Sequence, residues 1–159
     1  MIPLAVVDRV ASQHALDRRA IACCLDLLRA TEQLNARLQS WLQSHDLSSS
    51  KYKILTELAA RESLSPSTLA QTLGVRRPTL SGLVDNLQAQ GLVTRRPDAR
   101  DRRRFQVTLT DAGAALAEQA MTAQLTLMAA SLGRLTLAER SALRKILSHL
   151  QLDAEEADQ

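Results

Sequence analysis

The sequence predicts a mainly α-helical domain that carries one short two-stranded sheet near its middle. Apolar residues make up 45% of the 159 positions and aromatic residues only 2%, so the core must consist mainly of Leu, Ala and Val. Glycine and proline are sparse, and apolar residues recur at steps of three or four along most of the chain. Alternation typical of strands occurs only within residues 92–109.

A long amphipathic helix is predicted near the N-terminus. Apolar residues recur every three or four positions from Leu16 to Leu42, with no intervening Gly or Pro. A helix this long in so small a protein is more often part of an interface than self-sufficient. The preceding apolar stretch lacks a basic start and carries Asp8, so no signal peptide is predicted. A second helix follows, with Ser48 or Ser49 as its N-cap.

Two short helices joined by a tight turn come next. The first has Ser65 as its N-cap and Pro66 at its first helical position, and it ends at Gly74. The second begins at Pro78 and ends at Gly91. This spacing predicts a helix-turn-helix.

The segments "LVTRR" and "FQVTL" alternate in the manner of strands and bracket the polar connection "PDARDRR". A β-hairpin is the simplest arrangement for such a pattern. A hairpin directly after a helix-turn-helix is a wing, so the chain is predicted to have an α+β winged helix-turn-helix fold.

Two further helices are predicted after the wing. Thr110 or Asp111 caps the first, which runs to about Ser131. Thr136 and Glu139 stand in the register of a capping box at the start of the second.

Positive charge is concentrated in one segment. Residues 74–104 hold eight arginines and three aspartates, a balance of +5, whereas the rest of the chain carries −2 of the total of +3. Such a distribution predicts a polyanionic partner for this segment.

The start of the second short helix has the chemistry of a base-reading element. A helix fits the major groove of B-DNA, where arginine pairs with guanine and threonine offers its methyl group to thymine. The predicted contact residues at this end are Arg76, Arg77, Pro78, Thr79 and Ser81. Three hydroxyl groups at the start of the preceding helix suit phosphate: those of Ser65, Ser67 and Thr68.

The wing tip is predicted to be cationic and braced. Arg100, Arg102 and Arg103 lie on a short loop, and the narrow minor groove of A·T-rich DNA attracts inserted arginines. Asp98 and Asp101 are near enough in sequence to hold these guanidinium groups in place.

The run "LSPSTLAQTLGVRRPTLSGLVDNLQAQGLVTRRPDARDRRRFQVTLTDAGAAL" resembles the DNA-binding core of the MarR family of bacterial transcription regulators. The wing signature "DARDRR" followed by "VTLTDAGAAL" is its most specific part. By position, Arg100 resembles the arginine that enters the minor groove and Asp98 the acid that orients it, while Arg102 and Arg103 match the following basic pair. Gly82 stands where some members carry a base-contacting arginine.

The resemblance implies a homodimer that binds a palindromic operator, usually as a repressor released by a small molecule. We therefore expect a six-helix protomer with a two-stranded wing, arranged as one compact domain. Residues 1–46 would form an N-terminal dimerisation region, residues 47–110 the winged helix-turn-helix, and residues 111–159 the C-terminal dimerisation helices.

Two alternatives concern other mechanisms. One is a redox-responsive regulator of the same fold that senses oxidant through Cys23 or Cys24. The adjacent cysteines lie on or beside the apolar stripe of the first helix, which favours inert packing in the core or an interface. The other alternative is a winged-helix module that binds proteins instead of DNA.

The sequence contains only weak candidates for an effector site and no motif for a metal or catalytic site. Trp41, His45 and Tyr52 are candidates for an effector pocket, although packing accounts equally well for Trp41 and Tyr52. The histidines lack metal-ligand spacing, so neither a metal nor a cofactor is predicted. No enzyme motif is present, and the sequence predicts a cytoplasmic protein without a membrane span.

Overall fold

The computed structural model describes residues 4–97 and 105–156 of the chain. The helices are α1 (Leu4–Gln13), α2 (Arg18–Ser44), α3 (Ser49–Arg61), α4 (Pro66–Leu73), α5 (Arg77–Ala89), α6 (Asp111–Leu132) and α7 (Leu137–Glu156). The strands are β1 (Ser63–Leu64), β2 (Val93–Pro97) and β3 (Phe105–Leu109). The chain divides into two compact units, Met1–Arg37 and Leu38–Gln159.

The N-terminal unit contains α1 and most of α2. Ala15, in the turn between them, has a φ of 50°, in the left-handed region. The carboxylate of Asp17 then accepts hydrogen bonds from the backbone N–H groups of Arg19 and Ala20 at 2.8 and 3.2 Å, so it caps the start of α2.

The helices of the C-terminal unit begin where the capping residues predict. The side chains of Ser48, Ser65 and Thr110 each accept a hydrogen bond from the backbone N–H three residues later. Gly74 ends α4 in the left-handed conformation, with a φ of 64°, a geometry that favours glycine. The predicted N-cap residues and the predicted end of α4 are confirmed.

The sheet has three antiparallel strands in the order β1-β3-β2. Val93 pairs with Leu109 and Pro97 with Phe105, which makes β2 and β3 the two arms of the predicted wing. Leu64 of β1 pairs with Val107 on the other side of β3. The wing is therefore anchored at its base to the segment between α3 and α4.

A core of leucine and other aliphatic residues lies under the helix-turn-helix and the sheet. Its fully buried members with the largest side chains are Leu42, Ile54, Leu55, Leu58, Leu69, Leu80, Leu87, Val93 and Val107. Small residues of α6, Ala117 and Ala120, close the same cluster. Because α3 packs against α4, α5, α6 and the sheet, it is the central element of this unit.

The start of α6 lies directly against the turn after α5. Thr110 donates a hydrogen bond from its hydroxyl to the carbonyl oxygen of Gly91 at 2.6 Å, and its backbone N–H donates to that of Leu92 at 3.1 Å. A Cβ atom at Gly113 would lie only 1.8 Å from the carbonyl oxygen of Leu92. The glycine of the "TDAG" motif is thus required by a close backbone approach.

The architecture agrees with the predicted mainly helical winged fold, with two differences. The described residues contain seven helices instead of six, since the apolar N-terminal stretch forms α1. The sheet has a third strand, β1, which is too short to show any periodicity. Within residues 4–97 and 105–156, no helix combines the length and hydropathy that crossing a membrane requires.

Candidate nucleic-acid interface

The N-terminal end of α5 is exposed and carries the residues predicted to read bases. Its N-cap residue, Arg76, has an extended backbone conformation and makes no side-chain capping hydrogen bond. Beyond this first turn, Leu80, Val84 and Leu87 bury one face of the helix. This arrangement leaves all five predicted contact residues at the surface: Arg76, Arg77, Pro78, Thr79 and Ser81.

The hydroxyl groups predicted to bind phosphate lie together at the start of α4. The Oγ of Ser65 is 2.8 Å from the Oγ of Ser67 and 2.8 Å from the Oγ1 of Thr68. It also accepts the backbone N–H of Thr68 at 3.2 Å. Ser67 is exposed and the other two are partly buried, so the cluster presents hydroxyl groups at the positive end of the helix dipole.

Gly82 lies on the exposed side of α5. A Cβ atom at this position would have no heavy atom within 4 Å among the described residues outside its own helix turn. Packing against another helix therefore does not explain this glycine. Space for a close approach by DNA remains a prediction.

Arg95 takes part in an ion pair that was not predicted from the sequence. Its Nη2 donates a hydrogen bond to Oδ1 of Asp85 in α5, and its guanidinium carbon lies 5.1 Å from the centroid of the Phe105 ring. In the sequence, Arg95 is only one of the eight arginines of the basic segment, residues 74–104. The position of Asp85 on the exposed face of α5 is a sequence signal, but nothing in the sequence shows which arginine pairs with it.

The remaining wing candidates, Asp98, Arg100, Asp101, Arg102 and Arg103, lie outside the described residues. The structure describes the two strands that lead to and from them. Arg96 and Pro97, the last described residues of β2, are exposed.

The C-terminal end of α5 is tied to the turn between α2 and α3. The side-chain N–H of Gln90 donates to Oδ2 of Asp46 at 2.8 Å. The Lys51 ammonium group donates to the carbonyl oxygen of Asp46 at 3.3 Å and to Oε1 of Gln90 at 3.4 Å. These hydrogen bonds and the contact between Thr110 and Gly91 hold the C-terminal end of α5 on two sides.

The three effector candidates do not line one pocket. The rings of Trp41 and His45 stack with centroids 3.9 Å apart. Tyr52 is buried in the core, its hydroxyl donates to Oε1 of Gln124, and burial raises the pKa of its phenol. Trp41 alone of the three lines an open cleft of about 500 Å³, whose other lining residues belong to α6: Ala115, Glu118, Gln119, Thr122 and Ala123.

Cys23 and Cys24 are both exposed in the protomer. Packing in the core of the chain was therefore the wrong interpretation for these two residues. Packing in an interface between copies stays a prediction for both. No group of three or more potential metal ligands occurs within the part of the chain that the structure describes.

Comparison with known proteins connects this geometry to a family. The family model described as MarR family matches residues 45–104, the segment that contains α3, the helix-turn-helix and β2, the first strand of the wing. The transcriptional repressor NicR of Pseudomonas putida is 30% identical, over 82% of this chain and 82% of its own length. The chain belongs to the MarR family. MarR-family membership makes it a DNA-binding transcription regulator and not an enzyme.

Solved structures similar to this MarR-family chain share its fold. The crystal structure of YusO from Bacillus subtilis matches with a TM-score of 0.77 at 22% identity, covering 86% of this chain and 96% of YusO. BpsR of Bordetella bronchiseptica matches with a TM-score of 0.60 at 26% identity, covering 79% and 89%. The BpsR structure is described as showing how 6-hydroxynicotinic acid regulates DNA binding.

Proposed function

We propose that this protein represses transcription by binding a palindromic operator as a homodimer, and that a small molecule releases it. The exposed start of α5 carries the proposal. It presents Arg76, Arg77, Thr79 and Ser81 at the protein surface. Its N-cap residue, Arg76, makes no side-chain capping hydrogen bond, so the backbone N–H groups of the first turn, other than at Pro78, which has none, are available to a bound polyanion.

The contacts divide into those that read sequence and those that position the protein. Arg76 and Arg77 would contact guanine, and Thr79 the thymine methyl group, because these pairings match the major-groove edges of the bases. The hydroxyl cluster of Ser65, Ser67 and Thr68 would bind phosphate. At the wing, Arg100 would enter the minor groove with Asp98 orienting it, and Arg102 and Arg103 would contact the backbone beside it.

The dimer is supported by apolar side chains that the protomer leaves uncovered. In the C-terminal unit, Leu125 is 65% exposed, Leu137 80% and Ile146 58%. Exposed apolar surface on this scale marks an interaction site. A two-fold dimer would place its recognition helices about 34 Å apart, one turn of DNA, and so select a palindrome.

The cleft beside Trp41 is the proposed effector site. The indole ring offers a flat apolar surface, and Gln119 and Thr122 of α6 offer hydrogen bonds. These groups suit a small planar aromatic molecule, the class to which the ligand of BpsR belongs. An effector that prefers one orientation of α6 would shift the population of protomers away from the DNA-binding geometry.

Redox regulation is a second candidate because both cysteines are exposed, as an oxidant sensor requires. It is tested by comparing peroxide sensitivity of DNA binding in the native chain and in the Cys23→Ser/Cys24→Ser variant. Equal sensitivity eliminates this candidate. We also propose that the protein acts in the cytoplasm, where a bacterial transcription regulator meets DNA.

The proposed function is tested by selecting duplexes from a random-sequence library with the purified protein. We expect a palindromic consensus, with affinity that falls steeply as salt rises. The double variant Arg76→Ala/Arg77→Ala should lose preference for the consensus, whereas Arg134→Ala, an exposed arginine between α6 and α7, should retain it. Enrichment of no sequence, together with salt-independent binding, would favour a protein-interaction module.

A further inference from the structure

Arg95 lies at the base of the wing and connects three elements, its own strand and two others. It belongs to β2, stacks near the Phe105 ring of β3 and pairs with Asp85 of α5. Its side chain is only 31% exposed, against 57% for Asp85. The side chain therefore bridges the wing and the recognition helix.

The guanidinium group is held in place on more than one side. Its Nε is buried and has no hydrogen-bond partner among residues 4–97 and 105–156. A planar guanidinium that stacks near an aromatic ring and donates to a carboxylate has a restricted orientation. Arg96, the next residue, is exposed, since successive side chains of a strand point to opposite faces. These adjacent arginines are thus placed for different tasks.

Asp85 also needs a partner if α5 meets DNA. It is the only acidic residue of α5, and it lies on the same exposed side as Gly82, one turn earlier. A free carboxylate there would be repelled by the phosphate backbone. Pairing with Arg95 offsets that charge, and the ion pair connects α5 to the β2 strand of the wing.

We propose that Arg95 is a positioning residue for DNA binding, which acts through Asp85 to fix the base of the wing against the recognition helix. The inference rests on the proposed DNA-binding function. It separates Arg95 from the other arginines of the basic segment, because its contribution to affinity comes from geometry and not from a phosphate contact. Two expected results distinguish a positioning role from a phosphate contact. Substitutions of Arg95 and of Asp85 should have coupled, non-additive effects on DNA affinity. Substitution of Arg95 should leave the salt dependence of DNA binding unchanged.

The first test is a double-mutant cycle on a duplex selected from a random library by the native protein. Arg95→Met and Asp85→Asn should each weaken binding about fivefold, the factor that corresponds to a half-exposed ion pair. The double variant should be no weaker than either single variant. Additive losses in the double variant would overturn the inference. Stronger binding by Asp85→Asn would also overturn it, because that is the result expected if the carboxylate only repels phosphate.

The second test is the slope of binding affinity against salt, with Arg96→Met as the matched control. A lost phosphate contact lowers this slope by about one. Arg95→Met should keep the native slope, whereas Arg96→Met should lower it if that exposed arginine contacts phosphate. A slope reduced by about one in Arg95→Met would assign it to phosphate binding and contradict the positioning role.

The third test needs no DNA and stays informative if the proposed function fails. Hydrogen exchange of the β2 backbone amides, which are those of residues 93–96 because Pro97 has no N–H, should quicken in Arg95→Met and in Asp85→Asn but not in Arg96→Met. Unchanged exchange in both variants overturns the inference. Changed exchange in a chain that binds no duplex keeps the bridge between wing and helix and refutes only the DNA-binding function.

Discussion

The winged-helix core and the last two helices have apolar stripes of the same period but differ in what covers them. In the core, Ile54, Leu55 and Leu87 are completely buried. On α7, Ile146 is 58% and Leu150 53% exposed. The same sequence pattern therefore leads to a self-contained core in one region and to an uncovered face in the other.

This difference shows that helical periodicity predicts a helix but not the partner against which it packs. The core closes because α3 is surrounded by helices and sheet within one chain. The faces of α6 and α7 are uncovered in the protomer, and the proposed homodimer would cover them with the same faces of a second copy. The winged-helix region and the proposed dimerisation region thus differ in how far their apolar residues are buried.

Truncation in the core should have the largest effect on stability. Leu87→Ala removes a fully buried side chain and should lower the free energy of unfolding by about 2–5 kcal/mol. Ile146→Ala is the matched control on the exposed face. Its effect should be smaller and should shrink as the protein is diluted, because Ile146 would be covered only in the dimer. Chemical denaturation at two protein concentrations measures both, and equal concentration-independent losses would contradict the comparison.

Gly113→Ala should have the next largest effect. The added methyl group overlaps the carbonyl oxygen of Leu92, a backbone atom that cannot move independently of the turn. Overpacking of this kind costs about 1–3 kcal/mol. Thermal unfolding followed by circular dichroism would reveal it, and a variant as stable as the native protein would show that α6 does not approach the turn this closely.

Gly82→Ala places a methyl group where no neighbour lies, unlike Gly113→Ala, and should therefore raise the stability of the fold. Alanine is favoured over glycine in a helix interior by about 1 kcal/mol, and nothing lies within 4 Å of the new Cβ. Operator binding should weaken if DNA approaches the backbone there. Denaturant unfolding and a DNA titration measure the two effects separately. Lower stability would mean that the methyl group meets a neighbour after all.

Acid should loosen the start of α7 by a small amount. Glu139 accepts hydrogen bonds from the backbone N–H and the hydroxyl of Thr136, at 2.7 and 2.8 Å, and these bonds hold the pKa of its carboxyl below the usual value. Because the folded-state pKa is depressed, the stabilisation is present above the unfolded-state pKa and disappears as the pH falls through the lowered one. A titration of helicity should show this step in the native chain and not in Glu139→Gln.

Local chemistry explains which parts of the fold were predictable. Helix caps and turns depend on residues three or four apart, so Ser65, Gly74 and Thr110 are recognisable in the sequence. The strand β1 is only two residues long and exists because it pairs with β3, more than forty positions away. A pairing between residues so far apart in sequence produces no periodic pattern in the sequence of the two-residue strand.

The candidate site was predictable to a similar degree. Arg76 and Arg77 are exposed because they stand at the N-cap and first position of α5, ahead of its first buried residue, Leu80, and the start of this helix is recognisable from Pro78. The bond from Arg95 to Asp85 depends on how the sheet packs against the helix, and the cleft at Trp41 depends on α6, more than seventy residues later. Such contacts are set by tertiary packing, which a single sequence does not encode locally.

The most direct test of this account is the stoichiometry of the protein–DNA complex. Sedimentation of the native protein with a duplex selected from a random library should show two protomers bound per duplex, and a dimer in the absence of DNA. The uncovered faces of α6 and α7 would then be joined while the winged-helix regions contact the DNA. A monomeric protein that binds the selected duplex one to one with the same affinity would contradict the account.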